Sequence, residues 1–290
     1  MAHTTTAPPV DLPKLVPGIE KHLRHTVRLH PRQGSPGVRD SHVGGPLLWP
    51  ETEPWPRCGA SSYCALDADD PMIAVAQFYA ADLPEIPFPS GTDLVQILWC
   101  GGFHDRWDGG EPVRVRWRRS GDVGPALSEN PLPEVVEDDL VPRPCVVDPE
   151  RVTEYPWYQE LPDDVLQRLR AFNPADRPDA WYPDLYDDVA TATGFRVGGS
   201  MNWSVTDMPA LVCSTCRSPL FMLLHLDTCE WYPGSHGERW QPVEEHHLEH
   251  GSPEYDRARE PTGMVIGRAS RAGVFVCSAT PDHPAAYFGQ

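Results

Sequence analysis

The sequence predicts an α+β fold, predominantly β and internally duplicated, built as two related sheet-rich halves with a few short helices. Three observations carry this reading. First, HVGGPLLW at 42–49 returns as RVGGSMNW at 196–203, each Val-Gly-Gly followed at a fixed distance by Trp. Second, the segments downstream of the two copies correspond: PMIAVAQF at 71–78 stands against PLFMLLHL at 219–226, and LVQILWC at 94–100 against GVFVC at 273–277. Recurrence at so long a period is the signature of a duplicated unit. Third, these apolar runs are short and rich in branched residues, the pattern of strands buried on both faces.

In chain order, residues 1–27 read as a polar leader and a short amphipathic helix, with Leu15, Ile19, Leu23 and Val27 at helical spacing and Pro17 near its start. The first repeat spans 28–119 and opens on the extended segment RLHPR at 28–32. Its paired glycines imply a tight turn or a backbone approach that a β-carbon would block. In VRVRWRR at 113–119, Val113, Val115 and Trp117 alternate with Arg114, Arg116 and Arg118. Such a strand buries one face and shows a basic stripe on the other, open to solvent or to an acidic ligand. Residues 120–190 are turn-rich and acidic and form the connection. Within them PDDVLQRLRAF at 162–172 is the clearest helix: Pro162 suits the first turn, Asp163 and Asp164 favour its positive end, and Val165, Leu166, Leu169 and Phe172 share a face. It is expected to pack across the sheet between the halves. A Pro, Asp and aromatic loop at 177–188 leads into the second repeat, 191–290.

The 290 residues are 40% hydrophobic, enough for real cores, and carry a net charge of −18 with lysine only at Lys14 and Lys21. That charge opposes binding to nucleic-acid phosphates, where affinity comes from basic groups displacing counterions. It suits a basic protein partner drawn in by long-range attraction. The N-terminal residues lack the basic start and apolar run of a secretory signal, and no apolar stretch approaches the length of a membrane span. The expectation is a cytoplasmic protein without nucleic-acid or membrane partners, whose eight cysteines are reduced thiols or metal ligands.

Cys213-Ser-Thr-Cys216 has the spacing that lets two thiolates hold one zinc ion. A complete site needs two more ligands, and the first repeat offers Cys58 and Cys64 at the corresponding place. The candidate metal set is therefore Cys213, Cys216, Cys58 and Cys64, a closed structural zinc site; plain reduced thiols are the other reading of the same residues. Cys100 and Cys277 end equivalent strands and read as small buried hydrophobes. His246-His-Leu-Glu249-His250 formally matches an inverted zinc-protease pattern, but its polar setting and short reach favour a solvated surface turn. Neither a GxSxG elbow nor a GxGxxG or P-loop phosphate cradle occurs. The acidic clusters at 137–139, 163–164 and 184–188 read as solvated faces or helix starts.

Several motifs in order resemble the YwqG-like family, a widespread bacterial family, in its actinobacterial branch. These are HVGGPLLWP with PWP downstream, RLHPR, DLPEIPFPSGTDLVQILWC, PERVTEYPWYQELPDDVL, the second Val-Gly-Gly with CSTC, and PTGMVIGRASRAGVFVCSATPD. The resemblance runs from about Arg28 to the C-terminus and implies a duplicated, largely β fold and a bacterial cytoplasmic protein. It supplies no catalytic residues; members have been suggested to act as immunity proteins in toxin systems. Where the family more often has Tyr-Pro and then a Gln-bearing strand after the second Gly-Gly, this chain has SMNWSV. The leading functional expectation is a non-enzymatic protein-binding module with an acidic surface for a basic partner. The alternative is an enzyme or small-molecule binder with its site in the cleft between the repeats.

Overall fold

A branched, apolar run becomes a strand when neighbours satisfy its backbone groups, and twelve segments of the described chain pair in this way into two sheets. The computed structural model describes residues 2–58, 70–100, 112–134, 136–171, 184–233 and 236–290. Within them the strands are β1 (Arg24–Arg28), β2 (Arg32–Gln33), β3 (His42–Val43), β4 (Ile73–Tyr79), β5 (Leu94–Trp99), β6 (Val113–Arg118), β7 (Cys145–Val146), β8 (Glu150–Glu154), β9 (Arg196–Gly198), β10 (Leu220–Asp227), β11 (Arg271–Cys277) and β12 (Ala286–Gly289). Four short α-helices accompany them in the same residues: α1 (Leu12–Leu15), α2 (Asp163–Ala171), α3 (Asp184–Ala190) and α4 (Pro253–Arg259). The architecture is sheet-rich α+β, as the sequence predicts.

One sheet has the order β2-β7-β3-β4-β5-β6, the other β8-β1-β9-β10-β11-β12, and every pairing is antiparallel. Advancing each strand of the first sheet by six converts it into the second, with β7 replaced by β1. Two strands therefore lie in the sheet of the other half of the chain: β1 pairs with β9, and β7 with β3. The correspondence extends to register. His42 faces Gln77 as Arg196 faces His225, and the ladder is interrupted between Ala74 and Ala76 in β4 and between Met222 and Leu224 in β10.

The sheets share one apolar core, to which Val27, Val43, Val75, Phe78 and Ile97 contribute together with Val197, Leu224, Leu226, Val274 and Val276. Each outer face is covered by chain that comes after its Val-Gly-Gly turn. Leu47 and Trp49 pack with Ala74 and Leu98 on one sheet, and Met201 and Trp203 pack with Met222 and Phe275 on the other. Burial on both faces explains why β4, β5 and β11 read as mostly apolar runs in place of alternating ones.

Several polar side chains enter these layers with their partners. His42 is buried, accepting the Gly45 amide at Nδ1 (3.1 Å) and donating from Nε2 to the Pro46 carbonyl (3.0 Å), so its neighbours fix one neutral tautomer. Gln77 accepts from the Leu48 amide and from Gln96 Nε2 and donates to the Val38 carbonyl. In the other sheet the buried Glu154 carboxylate accepts the Ala192 and Ser200 amides and faces the Arg196 guanidinium at 3.5 Å. Buried polar groups are stable when satisfied in this way.

Three expectations change. The leader helix stops at Leu15: Pro17 follows it, Gly18 takes φ +100°, and Val27 belongs to β1. Helix α2 does not cross between the halves. Val165 and Leu169 pack with Leu12, Val16 and Ile19 of the leader and with Tyr186 and Val189 of α3, because that helical face matches another helical layer; Phe172 lies outside the described residues. The arginine stripe of β6 is partly claimed internally. Arg118 forms a two-pronged ion pair with Glu53 (2.6 and 2.9 Å), donates to Gln96 and lies over the Trp49 ring.

The glycine turns are as close as the sequence requires. Gly44 has φ +69°, and a β-carbon there would stand 2.4 Å from the carbonyl oxygens of Pro142 and Arg143. Gly44→Ala is therefore expected to cost upwards of about 2 kcal/mol. Gly121→Ala, where a β-carbon meets open space, is expected to be near neutral. Urea midpoints of the two variants check this, and equal midpoints would refute it.

Burial pushes His30 and His42 each down to about 4. Both are neutral in the folded protein at neutral pH, whereas the unfolded chain takes up protons near pH 6.5. The linked stability is thus complete above about pH 6.5 and is lost as pH falls toward 4. By pH 5 the loss is on the order of 2 kcal/mol per histidine. Urea unfolding at pH 7 and pH 5 is expected to show it, and an unchanged midpoint would exclude it.

Candidate metal centre

Cys213 and Cys216 are set by a tight turn leading into β10. The Cys213 amide donates to the Ser218 carbonyl (2.8 Å), the Arg217 amide returns to the Cys213 carbonyl (3.0 Å), and Arg217 adopts φ +65° to close the loop. An isolated bridge between Val212 and Pro219 seals its base. Beside it β11 ends at Cys277, which pairs with Leu220, and the chain turns back through a Thr280–His283 backbone bond. This turn delivers the His283 ring to the thiols.

The result is a compact quartet. Cys216 Sγ lies 3.4 Å from Cys277 Sγ, Cys213 Sγ lies 3.4 Å from His283 Nδ1, and all four ligand atoms fall within 4.8 Å of one another. Donor atoms around a tetrahedral zinc ion stand roughly 3.5–3.8 Å apart, given bonds of about 2.3 Å to sulfur and 2.0 Å to nitrogen. Cys213, Cys216, Cys277 and His283 can therefore hold a metal ion.

The electrostatics suit thiolate ligands. Hydrogen bonding from Ser218 brings Cys216 down to about 6, and the backbone amide of Cys216 lowers Cys213. Burial raises Cys277, although the Thr280 amide points at its sulfur (3.4 Å). His283 is raised, chiefly by its bond to Cys213. A bound cation would take the sulfurs as thiolates and the imidazole as a neutral ligand.

The structure places the sequence-predicted ligands differently. Cys213 and Cys216 come together, but with Cys277 and His283. Cys58 is not part of this quartet; it lies on the other sheet with its Sγ 2.8 Å from Cys100 Sγ. Cys64 lies outside the described residues. Cys58 does not join Cys213 because Cys58 packs in the outer layer of one sheet, whereas Cys213 lies in the turn that leads into β10 of the other. Cys277 is a ligand candidate and not only a buried hydrophobe. The missed signal was local: CSATPDH puts a histidine six residues after the cysteine of the strand that pairs with the one following CSTC.

Other candidates are tied up elsewhere. Cys145 and Cys229 are both pushed to about 12 by burial, which leaves them protonated. Across 243–250 the chain forms a 3-10 turn and further turns in place of a helix; His246 bonds the Gln241 carbonyl and His250 packs at a tilt against Tyr255, while Glu245 pairs with Arg32. A hollow of about 440 Å³ is lined by Thr6, Ala7, Pro9, Glu238, Arg239, Gln241 and His246. It lies between the leader and this insertion, and neither Val-Gly-Gly turn lines it. No helix among the described residues is long and apolar enough to cross a membrane.

Neither the models of known protein families nor the sequences of curated proteins match this chain.

A ligand that binds only the folded state stabilises it by about 4 kcal/mol at a thousand times its dissociation constant. Chelator treatment is therefore expected to lower the thermal midpoint and added zinc to restore it, with both responses absent in Cys216→Ser. A midpoint indifferent to chelator and zinc would remove the metal centre.

Proposed function

We propose that the chain is a non-enzymatic protein-binding module, a two-sheet scaffold in which a structural zinc ion fastens the turns at one end of β10 and β11 and whose acidic surface receives a basic protein. Three cysteines and one histidine fill a tetrahedral coordination sphere and leave no position for a substrate or an activated water. A metal so held serves stability.

The observation that carries the binding role is where the charges are spent. Arg28, Arg196 and Arg271 are buried, and Arg24, Arg32, Arg118 and Arg151 are engaged with Glu160, Glu245, Glu53 and Glu85. These arginines are held in the interior or in ion pairs, and Glu51, Glu129, Glu134, Glu137 and Asp138 stand exposed on a chain with 42 acidic residues against 24 basic ones. Half-exposed Leu132 sits among them in sequence, offering an apolar contact within an acidic rim. Such a field speeds encounter with a cationic partner and repels acidic ones. The resemblance to the YwqG-like family, whose members have been suggested as immunity proteins, fits this role.

The test is gentle low-salt purification from the source cell, followed by binding of whatever is retained to wild type and to a Glu129→Lys, Glu134→Lys, Glu137→Lys variant. A basic protein is expected at one per chain, released as salt rises and bound about tenfold or more weakly by the variant. A retained small molecule with no protein, or a partner indifferent to both salt and the variant, would overturn the reading.

A further inference from the structure

Given the metal centre described above, on which this inference rests, we propose that Cys216 is a site of oxidation by peroxide, resolved by Cys277 into a disulfide that releases the metal ion.

Of the seven cysteines in the described residues, Cys216 alone is exposed. Its neighbours in the quartet, Cys213 and Cys277, are 1% and 0% exposed. A peroxide arriving from solvent therefore meets Cys216 first. An accessible cysteine becomes a reversible redox site when a second thiol stands beside it to resolve the first oxidation product. Cys277 Sγ stands 3.4 Å from Cys216 Sγ, whereas Cys213 Sγ has His283 Nδ1 as its contact at the same distance. Bonded sulfurs lie about 2.05 Å apart, so the pair must close further. The movement falls to Cys216, which lies in the turn between the Val212–Pro219 bridge and belongs to no strand, while Cys277 is held at the end of β11 opposite Leu220. The Thr280 amide, 3.4 Å from Cys277 Sγ, favours the anionic sulfur that makes the second attack.

The chemistry balances as a two-electron oxidation. The Cys216 thiolate attacks one peroxide oxygen and the O–O bond breaks; with one proton, water leaves and a sulfenic acid remains. The Cys277 thiolate then attacks that sulfur, the S–S bond forms and the S–O bond breaks, and a second proton carries off a second water. Two thiolates lose the two electrons that the peroxide gains. Two of the four metal ligands are consumed, and Cys213 with His283 is too few to keep a closed site. The new disulfide joins the same turn to the same strand end that the cation had fastened, across 61 residues of chain.

The experiment treats the zinc-loaded chain with stoichiometric hydrogen peroxide, reads released zinc with a metallochromic dye and maps disulfides by mass spectrometry of unreduced peptides. One zinc ion released per disulfide is expected, with Cys216–Cys277 as the linked pair and zinc uptake restored by dithiothreitol. In Cys277→Ser the sulfenic acid at Cys216 has no resolving thiol and is expected to be trapped by dimedone. In Cys216→Ser the loss of thiols to peroxide is expected to slow about tenfold or more. A Cys213–Cys216 or Cys58–Cys100 disulfide in place of the Cys216–Cys277 one, or thiol loss at the wild-type rate in Cys216→Ser, overturns the proposal. Should either variant fail to fold, the disulfide map of the wild type decides. A chain that takes up no zinc before peroxide removes the metal centre and the release step with it, and the disulfide map then still decides for or against the thiol pair.

Discussion

The pairing of β1 with β9 and of β7 with β3 is the constraint on which the rest of the structure depends. Each of these strands fills a place inside the sheet made mostly by the other half of the chain. Without β1, the other sheet is divided between β8 and β9; without β7, its counterpart is divided between β2 and β3. The exchange holds the two sheets face to face, so that Val27 and Leu29 reach the same core as Val43, Phe78 and Ile97. It also places backbone from the connection beside the glycine turns: the Pro142 and Arg143 carbonyls crowd Gly44, and the Glu154 side chain crowds Gly199. The absence of a β-carbon at those turns is a direct result of the exchange.

Because both faces of the central strands are covered, polar groups that enter there mostly bring partners with them. His42 with Gln77 and Gln96 on one sheet, and Arg196 with Glu154 on the other, are buried at related places yet use different chemistry. Such assemblies add little net stability over an apolar core but penalise slipped registers, since a shift of one residue would strand a buried charge.

The candidate metal centre sits where regular pairing ends. A hairpin turn before β10 and a turn after β11 are short, polar and poorly supplied with apolar contacts, and four ligands converge there. A cation is well suited to such a place because it fastens loops that no hydrophobic layer holds. The proposed role of the metal is accordingly structural, and the chemistry that meets a partner is placed on the exposed carboxylates.

Much of the architecture was legible in the residues. The repeated Val-Gly-Gly, the two matching apolar runs and the CxxC turn marked strand positions, close turns and two of the four ligands, because each rests on local spacing or on a backbone conformation only glycine tolerates. Other outcomes rest on distance in space. Leu15, Ile19, Leu23 and Val27 show helical spacing, but Pro17 and Gly18 interrupt it and the partners of β1 claim Val27. Tertiary structure decided that Cys213 and Cys216 join Cys277 and His283 and not Cys58. The spacing of cysteines along a chain says which thiols share a turn, whereas only the pairing of β10 with β11 says which strand end lies beside that turn.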